Sequence, residues 1–449
     1  MAPDIFSKRT IVIVLFVLGF GIHFAWLGTP NSAVFDEVHF GKFISAYFTH
    51  EYYFDIHPPL GKLIIAGWGW LWGYQPGFSF ANIGEVYPDK LYIALRVLPS
   101  FAGALLPLVI FGIARRLRMS LPAAALAGAF VALDNALLVQ SRYILLDAFL
   151  LLFGFTAIYY YLRWRDGGSK WFLVGAGILG GMAMSIKWTG ITFLGLIVLM
   201  ELIDLYRQRH ELLRHRIGLS IASIAVLPLI LYASVFTIHF ALLTTSGAGD
   251  AFMSARFQSG LEGNQHATNT ELKPLTVPEK IVELNREMYR SNQRLTATHP
   301  YSSTWYTWPF LDRPIFYWVH ETARVYLLGN PVVWWLSTTA VMIVLINLIL
   351  SGLRSIQPVP ALLMGAWLVN MLPFIGISRV MFLYHYFTAL IWAILMLAYV
   401  VDQSPKTKQV VVTLCALALA LFLFFAPLSY GLPLSETAYN ARVWFASWR

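Results

Sequence analysis

Two adjacent carboxylates, Asp36 and Glu37, stand in the run Val34-Phe35-Asp36-Glu37-Val38-His39-Phe40-Gly41-Lys42-Phe43, shortly after an apolar stretch over 10–27. Ionisable groups at a membrane boundary are costly and mark function by default. The plainer reading is a helix start. Acids in a first turn suit the helix dipole, and Phe40, Phe43, Ile44 and Tyr47 continue at helical spacing. The two readings are compatible, because a helix N-terminus also fixes the direction of a carboxylate. A second polar run follows, Asp55-Ile56-His57-Pro58-Pro59-Leu60-Gly61-Lys62, whose double proline imposes an extended kink and holds its Asp, His and Lys rigidly. Asp36, Glu37, His39, Asp55 and His57 also invite a metal reading. They lack a recognised ligand spacing, and no metal is expected.

Three arginines fall where apolar residues are expected: Arg96 in Leu95-Arg96-Val97-Leu98-Pro99, Arg142 in Gln140-Ser141-Arg142-Tyr143, and Arg379 shortly before Tyr384-His385. A lone arginine near a helix end commonly snorkels to headgroups. Three at one depth beside an acidic platform point instead to a bound anion, since the guanidinium pairs bidentately with phosphate. Lys187, in Ser185-Ile186-Lys187-Trp188, is expected at the same level.

The elements that position these groups must be membrane helices. Of 449 residues, 58% are hydrophobic and 12% charged, with a mean hydropathy of +0.63, against roughly 25% charged in soluble chains. A single cysteine, Cys415, excludes a disulfide scaffold. Apolar runs near 10–27, 92–114, 121–140, 143–162, 171–186, 188–206, 217–243, 331–350, 361–377, 385–401 and 410–426 predict an all-α polytopic protein of about eleven transmembrane helices, because lipid forces each segment to satisfy its own backbone. The first run is too long, and its flank too poor a cleavage site, for a removable signal peptide. With the N-terminus inside, the short inner connections together with Lys8 and Arg9 carry 15 of the 32 basic residues, as the positive-inside rule requires. The net charge of +9 then reflects topology, and no nucleic acid is expected as partner. The chain divides into a module over 1–243 with a large first outer loop at 28–91, a polar outer segment over 244–330, and a C-terminal module over 331–449. Within the first loop, Leu63–Gly73 is Trp-rich and half the length of a span, which suits a helix lying along the bilayer surface. No Walker sequence occurs, so the chemistry is expected at the outer face.

Phe35-Asp36-Glu37-Val38-His39-Phe40-Gly41-Lys42 with His57-Pro58-Pro59-Leu60-Gly61-Lys62 resembles the first-loop signature of the protein O-mannosyltransferases. The resemblance continues through Asp134-Asn135-Ala136-Leu137, Gln140–Asp147, Ser185–Gly190, Leu328–Trp335 and Phe382–Tyr386. Eukaryotic members of that family carry a large β-trefoil insertion after the seventh span. Segment 244–330 is too short for it, so the chain is similar to the compact prokaryotic branch, in a plasma membrane with its active site outside.

The resemblance implies a GT-C-type architecture and an inverting transfer of mannose from polyprenyl- or dolichyl-phosphate to Ser/Thr hydroxyls of exported polypeptides. No nucleotide or redox cofactor is required, and assembly as a dimer or with a translocon is compatible with it. A sugar phosphodiester leaves as a stable anion, so cations suffice on that side; Arg96, Arg142, Lys187 and Arg379 are the candidates. The acceptor hydroxyl needs a base, assigned to Asp36, with Glu37 orienting the acceptor or stabilising positive charge on the sugar. Spacing alone allows either acid to be the base. His39, Lys42, His57, Lys62, Asp147 and His385 are expected to line the substrates. A sister enzyme moving another sugar to a lipid or glycan, and a lipid flippase, remain as alternatives.

Overall fold

The structure, a computed structural model, describes residues 6–207, 213–294, 298–352, 357–377 and 379–449. The basic connections 207–216 and 351–360 therefore lie partly outside the described residues. The chain is mostly helical. Helices α1 (Lys8–Phe24), α2 (Glu37–Thr49), α3 (Leu60–Leu71), α4 (Leu91–Arg116), α5 (Leu121–Ala132), α6 (Asn135–Arg142), α7 (Asp147–Arg165), α8 (Lys170–Ile186), α9 (Ile191–Arg207), α10 (Leu213–Ile221) and α11 (Leu227–Leu242) form the first half. After α12 (Ala255–Gln258) and α13 (Val277–Arg294) come strands β1 (Ile315–His320) and β2 (Ala323–Leu327), then α14 (Pro331–Ser351), α15 (Pro358–Val369), α16 (Phe387–Asp402) and α17 (Thr407–Tyr430).

Among the described residues seven helices are long and apolar enough to cross a membrane, or eight if α5 and α6 count as one span. That pair is bent by 53°, and the cause is local. Asp134 caps α6 by accepting from Leu137 N at 2.9 Å, and its other oxygen accepts from Asn330 N at 2.9 Å and Trp334 Nε1 at 2.7 Å. A carboxylate capping a mid-bundle helix start needs those partners, because a buried unsatisfied acceptor is costly. α4 packs against α1, α5 and α7, while α16 is enclosed by α5, α14 and α15.

One expectation is corrected. The chain is not wholly α-helical: β1 and β2 form an antiparallel hairpin with a register irregularity between Phe316 and Trp318. Its aromatic and β-branched sequence, Ile315-Phe316-Tyr317-Trp318-Val319, favours a pleated, half-buried surface. Segment 244–330 is also tied to the first loop. Thr245 N bonds His50 O at 3.0 Å, Gly249 N bonds Tyr52 O at 3.0 Å, and Phe35 N bonds Tyr317 O at 3.2 Å. In the first loop itself, α3 packs on α2, α4 and α8 and leaves Trp70 and Leu71 exposed. Gly41 lets α2 sit close to the loop, since a Cβ there would fall 2.1 Å from the Phe80 ring.

Candidate active site

Asp36 and Glu37 occupy opposite environments although they are neighbours. Phe35 takes a left-handed φ of 45°, a conformation that a bulky residue adopts only when its surroundings impose it. Its ring stacks on Tyr317 at 4.0 Å between centroids. α2 starts immediately afterwards, with Asp36 at the N-cap.

Glu37 points inward and is fully buried. It accepts from Arg96 Nε (2.8 Å) and Nη2 (2.7 Å), from the backbone N–H of Val34 (2.9 Å) and Ile144 (3.0 Å), and from the Tyr87 hydroxyl (3.1 Å). Arg96 spends its remaining reach on the carbonyls of Pro30 (2.7 Å) and Ser32 (3.0 Å). The rings of Tyr92, Tyr143 and Tyr87 surround its guanidinium. Arg142 is likewise buried, donating to Ala25 O (2.5 Å) and Trp26 O (2.6 Å) against the Tyr430 ring. Arg96, Arg142 and Glu37, expected at the donor phosphate and the substrates, are all buried among protein partners. Arg96 is paired with the Glu37 carboxylate, whereas Arg142 meets backbone carbonyls and no carboxylate among the described residues; both tie the loop after α1 to the rest of the bundle.

Asp36 faces the other way. The residue is half-buried, and its carboxylate makes no hydrogen bond among the described residues. Burial pushes its pKa up to about 7, the Lys187 cation pulls it down, and the Asp147 and Asp55 carboxylates push it up. The same electrostatic neighbourhood contains His57, Tyr384 and His385. Lys187 Nζ holds both oxygens of Asp147 at 2.8 and 2.9 Å, and Gln140 Nε2 donates to Asp147 at 2.7 Å. Lys62, buried in α3, is tied to Asp55 and donates to His57 O at 2.9 Å. The His57 imidazole is held neutral by burial first, then by the Lys187, Lys62 and Arg379 charges. His385 is oriented through Phe382 O at 2.9 Å and stacks between the Trp308 and Tyr384 rings.

Arg379 is partly exposed, and its guanidinium has no hydrogen bond or ion pair among the described residues. It is electrostatically linked to Tyr384, His385 and His57. The structure thus brings Asp36, His57, Lys62, Asp147, Lys187, Arg379 and His385 into one cluster. His39 and Lys42 are exposed on α2, His39 within reach of the Asp55 field. No three His, Cys, Asp or Glu side chains among the described residues are grouped to share a metal ion.

Sequence reasoning missed Tyr317. Its hydroxyl donates to Gln140 Oε1 and its carbonyl holds Phe35 N, so it links Asp147 to the turn that aims Asp36. The signal was present as a β-branched, aromatic run after Pro314.

The family model described as dolichyl-phosphate-mannose-protein mannosyltransferase matches residues 13–244, and the model for the C-terminal four-transmembrane region of protein O-mannosyltransferase matches 277–448. Protein O-mannosyltransferase 1 of Drosophila melanogaster is 34% identical over 71% of this chain, and dolichyl-phosphate-mannose–protein mannosyltransferase 4 of Candida albicans is 40% identical over 53%. The match covers 34% of the length of each, so the chain spans about a third of these relatives. The fold is that of a chain in the S. cerevisiae protein O-mannosyltransferase Pmt1-Pmt2 complex bound to the sugar donor, with a TM-score of 0.92 at 22% identity, covering 100% of this chain and 93% of that one. ArnT from Cupriavidus metallidurans bound to undecaprenyl phosphate gives 0.54 at 16% identity, covering 94% and 65%.

Proposed function

This chain belongs to the protein O-mannosyltransferase family, and from that premise we propose that it transfers mannose from a polyprenyl- or dolichyl-phosphate carrier to Ser/Thr hydroxyls of exported polypeptides. The observation that carries the reading is the division of labour between neighbours. Glu37 is sealed into the fold by five donors, which leaves Asp36 as the open carboxylate beside a set of cations. Asp36 takes the proton of the acceptor hydroxyl as the hydroxyl oxygen attacks the anomeric carbon. The carrier phosphate leaves toward Arg379 and Lys187 with the electron pair of the broken C–O bond. A single displacement inverts the anomeric centre. His57, which is neutral, supplies hydrogen bonds rather than charge, His385 stands beside it, and His39 and Lys42 flank the approach of the acceptor. In membranes given radiolabelled polyprenyl-phosphate mannose, label should enter a Ser/Thr peptide in a linkage released by alkaline β-elimination. Label confined to a lipid or glycan would assign the sister activity instead.

Arg379 is the cation of this cluster with no hydrogen bond or ion pair among the described residues, so Arg379→Ala should lower kcat/KM for the donor by about 10²–10³-fold, the effect of removing one preorganised charge donor. Arg379→Lys should recover only part, because the planar fork is lost. Steady-state kinetics at matched expression would show this, and wild-type values for the alanine variant would remove Arg379 from the site.

We read the helices as eleven crossings in a GT-C arrangement, with α1, α7 and α8 added to the eight spans already distinguished by length and composition. The modules are then 1–243, 244–330 and 331–449, with the site facing outward across a plasma membrane. Cysteines placed singly at Ser169 and Ser435, in a Cys415→Ser background, should be labelled from opposite sides, with Ser435 external. Labelling of both from one side would reverse the outer assignment.

A further inference from the structure

The groove between α11 and α13 is lined by groups that the transfer reaction does not use. α13 buries Leu284 and Met288, and its Asn285 Oδ1 accepts from the Tyr232 hydroxyl of α11 at 2.6 Å, which in turn accepts from Trp188 Nε1 at 2.9 Å. Alongside this contact runs an open groove of about 630 Å³, lined by Tyr232, Val282, Arg286, Tyr289, Arg290 and Gln293 among others.

Two features give this groove a chemistry. The acids of α13 are occupied elsewhere. Glu279 accepts from Thr276 N and Oγ1, Glu283 from Ser254 N and Oγ, and Glu287 from Ser291 Oγ. Arg286 and Arg290, one turn apart and both exposed, carry no hydrogen bond or ion pair among the described residues. At i and i+4 they are neighbours on one helix face, spaced to take opposite oxygens of one phosphate. The second feature is depth. α11 belongs to a membrane-crossing helix over Arg216–Leu242, which exposes Leu229 and Ile230 on one side of Tyr232 and Ile238, with Ser234 and Thr237, on the other. An exposed Tyr such as Tyr289, beside a membrane-crossing helix, is at home at the level of lipid headgroups.

We propose that this groove binds the phosphodiester headgroup of an anionic glycerophospholipid, with the acyl chains descending beside Leu229 and Ile230. Arg286 and Arg290 hold the phosphate, and Val282, Tyr232 and Tyr289 cover the glycerol. The site is separate from the Asp36 cluster and stands whether or not the transfer reading does.

The test uses the full chain in mild detergent and counts bound lipid by native mass spectrometry, with phosphatidylglycerol and phosphatidylcholine titrated separately. Two basic residues at a headgroup each contribute on the order of 1 kcal/mol, which corresponds to a preference of about tenfold or more for phosphatidylglycerol. Arg286→Gln/Arg290→Gln should bring the two lipids to parity, Arg286→Lys/Arg290→Lys should keep most of the preference, and Lys273→Gln, exposed outside the groove, should leave it intact. An unchanged preference in the Gln double variant overturns the site. Displacement of phosphatidylglycerol by inorganic phosphate reduces it to a free-anion site, and one-for-one displacement by polyprenyl phosphate assigns the groove to the donor carrier; either result overturns the phospholipid assignment.

Discussion

Asp36→Asn should lower single-turnover mannose transfer by roughly 10²-fold or more while leaving donor binding in place. Asparagine keeps the size of the side chain and its place at the start of α2, where the carboxylate makes no capping bond that could be lost. What it removes is the capacity to accept the hydroxyl proton. The cations that face the donor remain, so a binding measurement separates the two steps. The wild-type pH profile follows from the same residue. Asp36 works deprotonated, and burial raises its pKa to about 7. kcat/KM should therefore climb about tenfold per pH unit below 7 and flatten above it. Lys187 is the cation that holds the value down, and Asp147 pushes it up. Lys187→Met should thus move the rising limb to higher pH, beyond any loss of amplitude. A limb unmoved in that variant, or full activity in Asp36→Asn, would shift the base to another residue.

The sequence carried the cluster further than the roles within it. Asp36, His57, Lys62, Asp147, Lys187, Arg379 and His385 were all legible, because charged groups at the ends of apolar runs stand out against a background with so few of them. Periodicity could not tell which of two adjacent acids faces substrate. That depends on Arg96, fifty-nine residues away from Glu37, and on Phe35, whose left-handed backbone turns the chain at the critical point. Arg96 and Arg142 were visible as intrusions into apolar helices, yet a buried ion pair and a phosphate grip leave the same mark on a sequence. Asp134, Asn330 and Trp334 were noticed as motif residues and prove to be a clamp across the bundle. The hairpin escaped notice because two short strands beside long apolar helices contribute little pattern, although they carry the Tyr317 link to Asp36.

The buried pair gives the second large effect, on folding rather than on donor use. Arg96→Ala leaves Glu37 charged and fully enclosed, and Glu37→Gln leaves Arg96 so; breaking a buried pair from one side costs about 3–5 kcal/mol. Both variants should show a marked fall in Tm in detergent. Replacing both partners with apolar residues often restores stability, but here it should do so only in part. Glu37 also satisfies Val34 N, Ile144 N and the Tyr87 hydroxyl, and each buried donor left orphaned costs a further 1–3 kcal/mol. Arg96→Lys, which keeps the charge but cannot span both Glu37 oxygens and the two carbonyls of Pro30 and Ser32, is the variant to assay for activity. If Arg96 positions Asp36 through Glu37, the lysine variant should lose kcat while its donor KM stays near wild type. A raised donor KM with unchanged kcat and unchanged Tm would return Arg96 to the phosphate.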